Sequence, residues 1–261
     1  MSEDKNTLLS TLAEPISNAA NNITDKPTQN MGTTLADIWY LVFGGISQAA
    51  EKRKLKYSYA LQEFENELKD KISKIPEDKL GEADIQVIAP ALDASKYCIM
   101  HKELRMLFTN LITSSLNKDC CKYVHPSFAD IIKQMSPLDA KNIYIFSEKN
   151  YCPICNYRVF FKDGSFDDYY KNIFLSNPNE LDLILQSISI SSLERLGLVD
   201  IKFNEKEISY KYEPFYHIDI FINLKTDISN NNIPKATKVD IIKGIVELTP
   251  YGELFTKSCI L

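Results

Sequence analysis

The chain has 261 residues, 44% of them hydrophobic and 25% charged, and a formal net charge of −5. That is enough for one large domain or two modest ones with cores of their own. The balance excludes a wholly disordered chain and a global positive field that would draw it to nucleic acid or anionic lipid.

The first 33 residues, rich in Asn, Ser, Thr and Asp, with Pro15 and Pro27, read as a flexible tail. Their start, Met1 to Asn6, is polar and no apolar stretch follows, so no secretory signal is expected and the protein is predicted to be cytoplasmic. Its six cysteines are then expected as reduced thiols rather than as a disulfide framework. Leu35 to Ala50 is the most apolar stretch and predicts a helix, with Gly44 and Gly45 as a bend. It is shorter than the roughly 20 apolar residues a spanning helix needs. Its Trp39 and Tyr40 would suit a membrane interface, but a core or oligomer helix explains them better. A second helix is predicted from Glu51 to Ile75, with Leu61, Phe64, Leu68 and Ile72 at helical spacing and Pro76 as its stop. Pro90 is read as opening a helix toward Ile99. The next helix carries Leu104, Leu107, Phe108, Leu111, Ile112 and Leu116 as a one-sided apolar stripe.

Residues 126–261 change character. A short helix is predicted from Pro126 to Met135. Ser136-Pro137-Leu138-Asp139 then has the form of a helix start, with Ser at the cap, Pro at the first position and an acid soon after. Leu138 is expected to point into the core and Asp139 to cap. Tyr151 to Tyr170 reads as an insert of low regularity. A helix follows near Asn179 to Ile188, and another over Ser191 to Val199 closed by Gly197. Tyr210 to Leu224, with its alternation and aromatics, and Ile245 to Leu248 are predicted as strands. Thr249-Pro250-Tyr251-Gly252 opens a last helix ending near Cys259. The predicted fold is mainly α, of the α+β class. A flexible tail (1–33) and a helical domain (34–125) precede a winged-helix-like module (126–261) with a small antiparallel sheet and the 151–170 insert.

Several phrases carry a resemblance. They are Lys74-Ile75-Pro76-Glu77, Pro90 to Tyr97, Glu103 to Leu111, Val124-His125-Pro126-Ser127-Phe128, Gln134 to Ala140, and Leu248 to Phe255. In this order and spacing the chain, over roughly residues 35–261, resembles the Abi-alpha (abortive infection alpha) family of prokaryotic phage-defence proteins. The resemblance implies a part in abortive infection, in which an infected cell stops growing or dies before phage spreads. It transfers no active site. His125, Pro126, Phe128, Ser136, Pro137, Leu138 and Asp139 are motif positions expected to be structural.

Cys152-Pro153-Ile154-Cys155 has the spacing of one edge of a tetrahedral zinc site. No second such pair exists, and Cys120, Cys121 and His125 would have to complete it. Reduced cysteines in a loop are the simpler interpretation, so no cofactor is expected and zinc is the one candidate. His125 as a general base would find only Ser127 and Asp130 nearby in sequence, and a helix-entrance role explains it better. Asp139-Ala140-Lys141 has the acid-x-lysine spacing of nuclease sites, but falls in a helix rather than on a strand. No Gly-rich phosphate loop, nucleophile elbow or closely spaced Arg and His of defence ribonucleases is present. A winged helix suggests DNA. The presumed recognition helix, Ser187 to Leu196, offers Arg195, with Lys202, Lys206 and Lys211 on the wing, yet residues 126–261 hold 15 Lys+Arg against 18 Asp+Glu.

The expectation is a non-enzymatic component of antiphage defence that acts by protein or nucleic-acid recognition, with self-association or another protein as partner. A DNA-binding regulator and a membrane-acting toxin using the 35–50 helix are the alternatives.

Overall fold

The structure is a computed structural model that describes residues 37–39, 41–43, 51–82, 84–149, 151–206 and 209–260. The tail lies outside the described residues, as does most of the Leu35–Ala50 stretch. The protein is a mixed α+β protein, mainly helical, and it divides into two compact units. One holds the described residues up to Pro137 together with those from Lys257; the other is Leu138–Thr256.

The first unit is built from helices α1 (Glu51–Ser73), α2 (Ile85–Ser95), α3 (Lys102–Leu116) and α4 (Phe128–Gln134). On α3 the apolar stripe is buried throughout: Leu104, Leu107, Phe108, Leu111, Ile112 and Leu116 have lost nearly all contact with solvent. Residues 37–39 and 41–43 are helical, and Trp39 and Phe43 are buried, Trp39 stacking 4.5 Å from Phe43 and 5.5 Å from Phe64 of α1. Trp39 and Phe43 are therefore core residues. Pro90 does not open α2 but sits inside it. The helix starts earlier because Asp84 caps it, accepting from the amide of Gln86 at 2.9 Å. The hydrogen bond that Pro90 lacks is offset by burial of Val87, Ile88, Ala91 and Leu92 on the same helix.

Arg105 lies on α3 within the same buried belt, only 4% exposed. Its guanidinium bonds both carboxylate oxygens of Glu67, a carboxylate oxygen of Glu63 at 2.8 Å and the Ile99 carbonyl at 3.1 Å. A charge this deep must be paired, because a bare one would cost several kcal/mol, on the order of the penalties measured for broken buried pairs. Asn110 continues the seam, donating to the Cys259 carbonyl at 2.8 Å and accepting from Lys71. Burial lowers the Lys71 pKa, with Lys74 adding to the effect while Glu67 and Asp70 oppose it.

In the second unit α5 (Pro137–Glu148) leads into a four-stranded antiparallel sheet in the order β2-β1-β4-β3. Its strands are β1 (Tyr151–Phe161), β2 (Phe166–Phe174), β3 (Val199–Lys202) and β4 (Ala236–Leu248). The supposed insert of low regularity is thus the strand hairpin β1–β2, and β1 is an inner strand. Its near-continuous burial explains why it lacks alternation: a strand covered on both faces has no polar side to show. Helix α6 (Leu183–Arg195) merges the two predicted helices. It closes at Gly197, whose φ of 73° suits glycine, and Leu198 returns its amide to the Leu193 carbonyl at 3.0 Å.

The predicted strand over Tyr210 to Leu224 is instead a 3-10 segment, Ser209–Tyr216, followed by helix α7 (Asp219–Ser229). Aromatic content suggested a strand, but Tyr212 with Phe215, and Phe221 with Leu224, are spaced by three. Those pairs bury against Cys155, Tyr157, Val159 and Ile241 as the core on one face of the sheet. Helix α8 (Pro250–Cys259) starts where expected, Thr249 accepting from the Gly252 amide at 2.9 Å. Gly252 has no freedom to change: a Cβ there would lie 1.9 Å from the Leu198 carbonyl oxygen.

Candidate recognition surface

Helix α6 buries polar and apolar side chains together, Gln186 and Ser189 toward its start and Ile190 and Leu193 further along. Gln186 and Ser189 are buried together with Asn142 of α5 and Asn177. Asn142 donates to Gln186 at 3.0 Å and to Ser189 at 2.9 Å, and accepts from Asn177 at 2.6 Å. Gln186 in turn donates to the Asn177 carbonyl at 3.2 Å. Further along, the Ser192 hydroxyl donates to Asp139 at 3.1 Å, and Ser191 accepts from Asn172 at 3.0 Å. Buried amides and hydroxyls are tolerated only when satisfied, and here they satisfy one another.

The outward face is apolar. On the first two turns of α6 Ile184 (45% exposed), Leu185 (47%) and Ile188 (59%) lie on one side, and Leu181 (89%) is exposed at the helix start, just ahead of the cap Asp182. Asp182 fixes that start, one carboxylate oxygen accepting from the amides of Ile184 and Leu185 at 2.9 and 3.1 Å. Beside it opens a cleft of about 610 Å³, lined by Phe174, Leu181, Ile184, Ile218 and Ile220, with Glu180, Asp182 and Asp219 among its other residues. Lys and Arg are absent from its lining.

The structure scatters the sequence-derived candidates. Cys152 and Cys155 are both buried in β1, three positions apart in regular pairing with β4. An odd spacing on a strand sends side chains to opposite faces, and Cys155 belongs to the Tyr157–Val159 face. The two thiols therefore cannot grip one zinc ion, which corrects the zinc assignment. Among the described residues no group of three or more His, Cys, Asp and Glu side chains could hold a metal ion. Burial pushes both thiols up in pKa, a hydrogen bond from Ser176 and the charges of Lys149 and Lys211 opposing this at Cys152, and one from Tyr157 at Cys155.

His125 does sit at a helix entrance. The ring nitrogen Nδ1 accepts from the Ser127 amide at 3.2 Å and meets its hydroxyl at 2.6 Å. His125 and Pro126 are exposed, Ser136 is exposed, and Phe128 is fully buried in the first unit. Pro137 and Leu138 are half-buried, whereas Asp139 is buried. The helix turns Asp139 rather than Leu138 inward because Ser192 awaits it there.

On the predicted DNA-contact side, Arg195, Lys206 and Lys211 are exposed. Lys202 is not available as a phosphate ligand: its ammonium lies 2.7 Å from Glu247 and 3.4 Å from Glu205, and the hydrogen bond to Glu247 raises its pKa. The serines of the presumed recognition helix are buried or half-buried, and its exposed residues are Ile188, Glu194 and Arg195. The periodicity of 181, 184, 185 and 188 was legible, but as a pattern it reads as a core face.

The fold is that of a mixed α+β, mainly helical protein. The chain belongs to the family described as abortive infection alpha, which it matches over residues 56–259. No curated protein and no solved structure matches it. Among the described residues no helix is long and apolar enough to cross a membrane.

Proposed function

We propose that the protein serves abortive infection as a non-enzymatic recognition component, working through protein contacts on the outer face of α6. One observation carries this: α6 exposes Ile184, Leu185 and Ile188 on its first turns, with Leu181 exposed just ahead of its cap. Contiguous exposed apolar surface of this kind marks a site for protein contact. Readout of DNA draws instead on arginine, lysine, asparagine and glutamine, with clustered cations on phosphates. Helix α6 holds a single basic residue, Arg195. The order of α6, a glycine close, β3 and β4, with β1 on the far side of β4, supports a winged-helix-like module in which α6 takes the recognition position. The added strand β2 and the long connection carrying α7 depart from the simplest form of such a module.

The test is a plaque assay beside a thermal melt for Ile188→Glu and Leu181→Glu. Protection is expected to fall sharply while the melting temperature holds, because neither side chain is buried. Full protection in both variants would overturn the proposal, as would a nuclease or nucleotide-hydrolase rate abolished by one substitution. Salt-sensitive binding in a mobility-shift titration would move the function to nucleic acid.

A further inference from the structure

The cleft beside α6 has apolar walls and an acidic mouth, and the two together select one kind of guest. Its floor is Phe174, the buried last residue of β2. Ile184 of α6 and Ile218 and Ile220 at the start of α7 form its walls. All of these residues belong to the second unit. The buried polar group in the lining, Asn177, is already committed: its amide donates to Asn142 and accepts from the Asn179 amide at 3.1 Å. The interior of the cleft therefore offers apolar contact. Beyond it the exposed apolar surface continues along α6 to Ile188, one turn after Ile184, which gives a contact longer than the cleft itself.

Charge gathers at the mouth. Asp182 and Asp219 are exposed and Glu180 is half-buried. Their hydrogen bonds run to backbone: Glu180 accepts from the Asp182 amide at 3.0 Å, and Asp182 caps α6. Among the described residues none of the three carboxylates is held in an ion pair. The starts of α6 and α7 each add about half a positive charge there. Three carboxylates exceed that sum, so the mouth stays negative. Apolar surface bordered by charge of one sign matches a segment that sets aliphatic side chains beside charge of the other sign.

We infer that the cleft takes a basic aliphatic segment of a partner protein, an apolar side chain entering against Phe174 and Ile184 and a lysine or arginine lying against the carboxylates of the mouth. The inference rests on the protein-contact role proposed for α6 and names the chemistry of the partner.

Fluorescence anisotropy with the full chain tests it. The probe is a labelled amphipathic peptide of leucine and lysine only, and its counterpart carries glutamate at every lysine position. The wild type is expected to bind the lysine peptide at least about tenfold more tightly than the glutamate peptide, and to lose that preference as salt rises from about 0.05 to 0.5 M. Asp219→Lys should weaken the lysine peptide about tenfold and strengthen the glutamate peptide, a reversal that damage to the fold would not produce. Ile184→Ser should weaken both peptides. The same reversal of charge at Asp167, exposed at the other end of β2, should leave both affinities in place, which separates the cleft from the net charge of −5. A wild type that binds the two peptides equally overturns the inference. So does an Asp219→Lys variant that behaves as the Asp167→Lys variant does. In the plaque assay Asp219→Lys is expected to lose protection. Protection lost in Ile188→Glu but kept in Asp219→Lys would leave α6 as a contact surface and remove the basic partner.

Discussion

Helices α3 and α6 carry the same pattern to opposite ends. Leu104, Leu107, Phe108 and Leu111 in α3, and Leu181 just ahead of α6 with Ile184, Leu185 and Ile188 on it, all sit at sequence offsets 0, 3, 4 and 7. The first four are at most 3% exposed, the second four between 45% and 89%. A helical period therefore states that one face avoids water, not that the chain itself covers that face. In α3 the opposing surface comes from α1, α2 and α4, and the polar residues of the same belt, Arg105 and Asn110, are consumed by Glu67, Lys71 and the Cys259 carbonyl. In the first turns of α6 the inward positions are taken by Gln186 and Ser189, while Ile184, Leu185 and Ile188 face solvent; Ile190 and Leu193 further along are buried.

The largest effect that would break this comparison lies in α3. Phe108→Ala should cost about 3–5 kcal/mol, the range for truncating a fully buried aromatic. A melt or urea titration showing a loss below about 1 kcal/mol would mean that the stripe is not the organising core of the first unit.

The middle effect concerns the polar filling under α6. Asn142→Ala strands the Gln186 carbonyl oxygen, the Ser189 hydroxyl and the Asn177 amide at once. About 2–3 kcal/mol of destabilisation is expected, since each buried polar group left without a partner costs on the order of 1–3 kcal/mol. Amide exchange should quicken along α6 before the first unit responds. Exchange that stays uniform across both units would show that the network does not hold the helix.

The smallest effect sharpens the contrast most. Ile188→Ser should change the stability of the isolated monomer by less than about 0.5 kcal/mol, as an exposed substitution does, although the same residue type in α3 would be expensive to lose. A cost of 2 kcal/mol or more, the scale of a buried aliphatic, would mean that the stripe is covered within the chain.

Local sequence determined the parts that depend on near neighbours. The α3 stripe, the long α1 with its stop at Pro76, the glycine close of α6 and the Thr249 start of α8 follow from spacing, caps and breakers acting within a turn or two. The family phrases were also legible and led to the right family. Tertiary structure decided the rest. Tyr151 to Phe161 looks irregular because both of its faces are covered, and only pairing with β4 on one side and β2 on the other makes it a strand. Once that strand forms, its alternation parts Cys152 from Cys155, whatever their spacing suggests. Asn142, 44 residues before Gln186, reaches Gln186 and Ser189 only after the chain has folded. Buried polar groups need such partners, so this contact, together with the burial of Ile190 and Leu193, decides which face of α6 meets solvent.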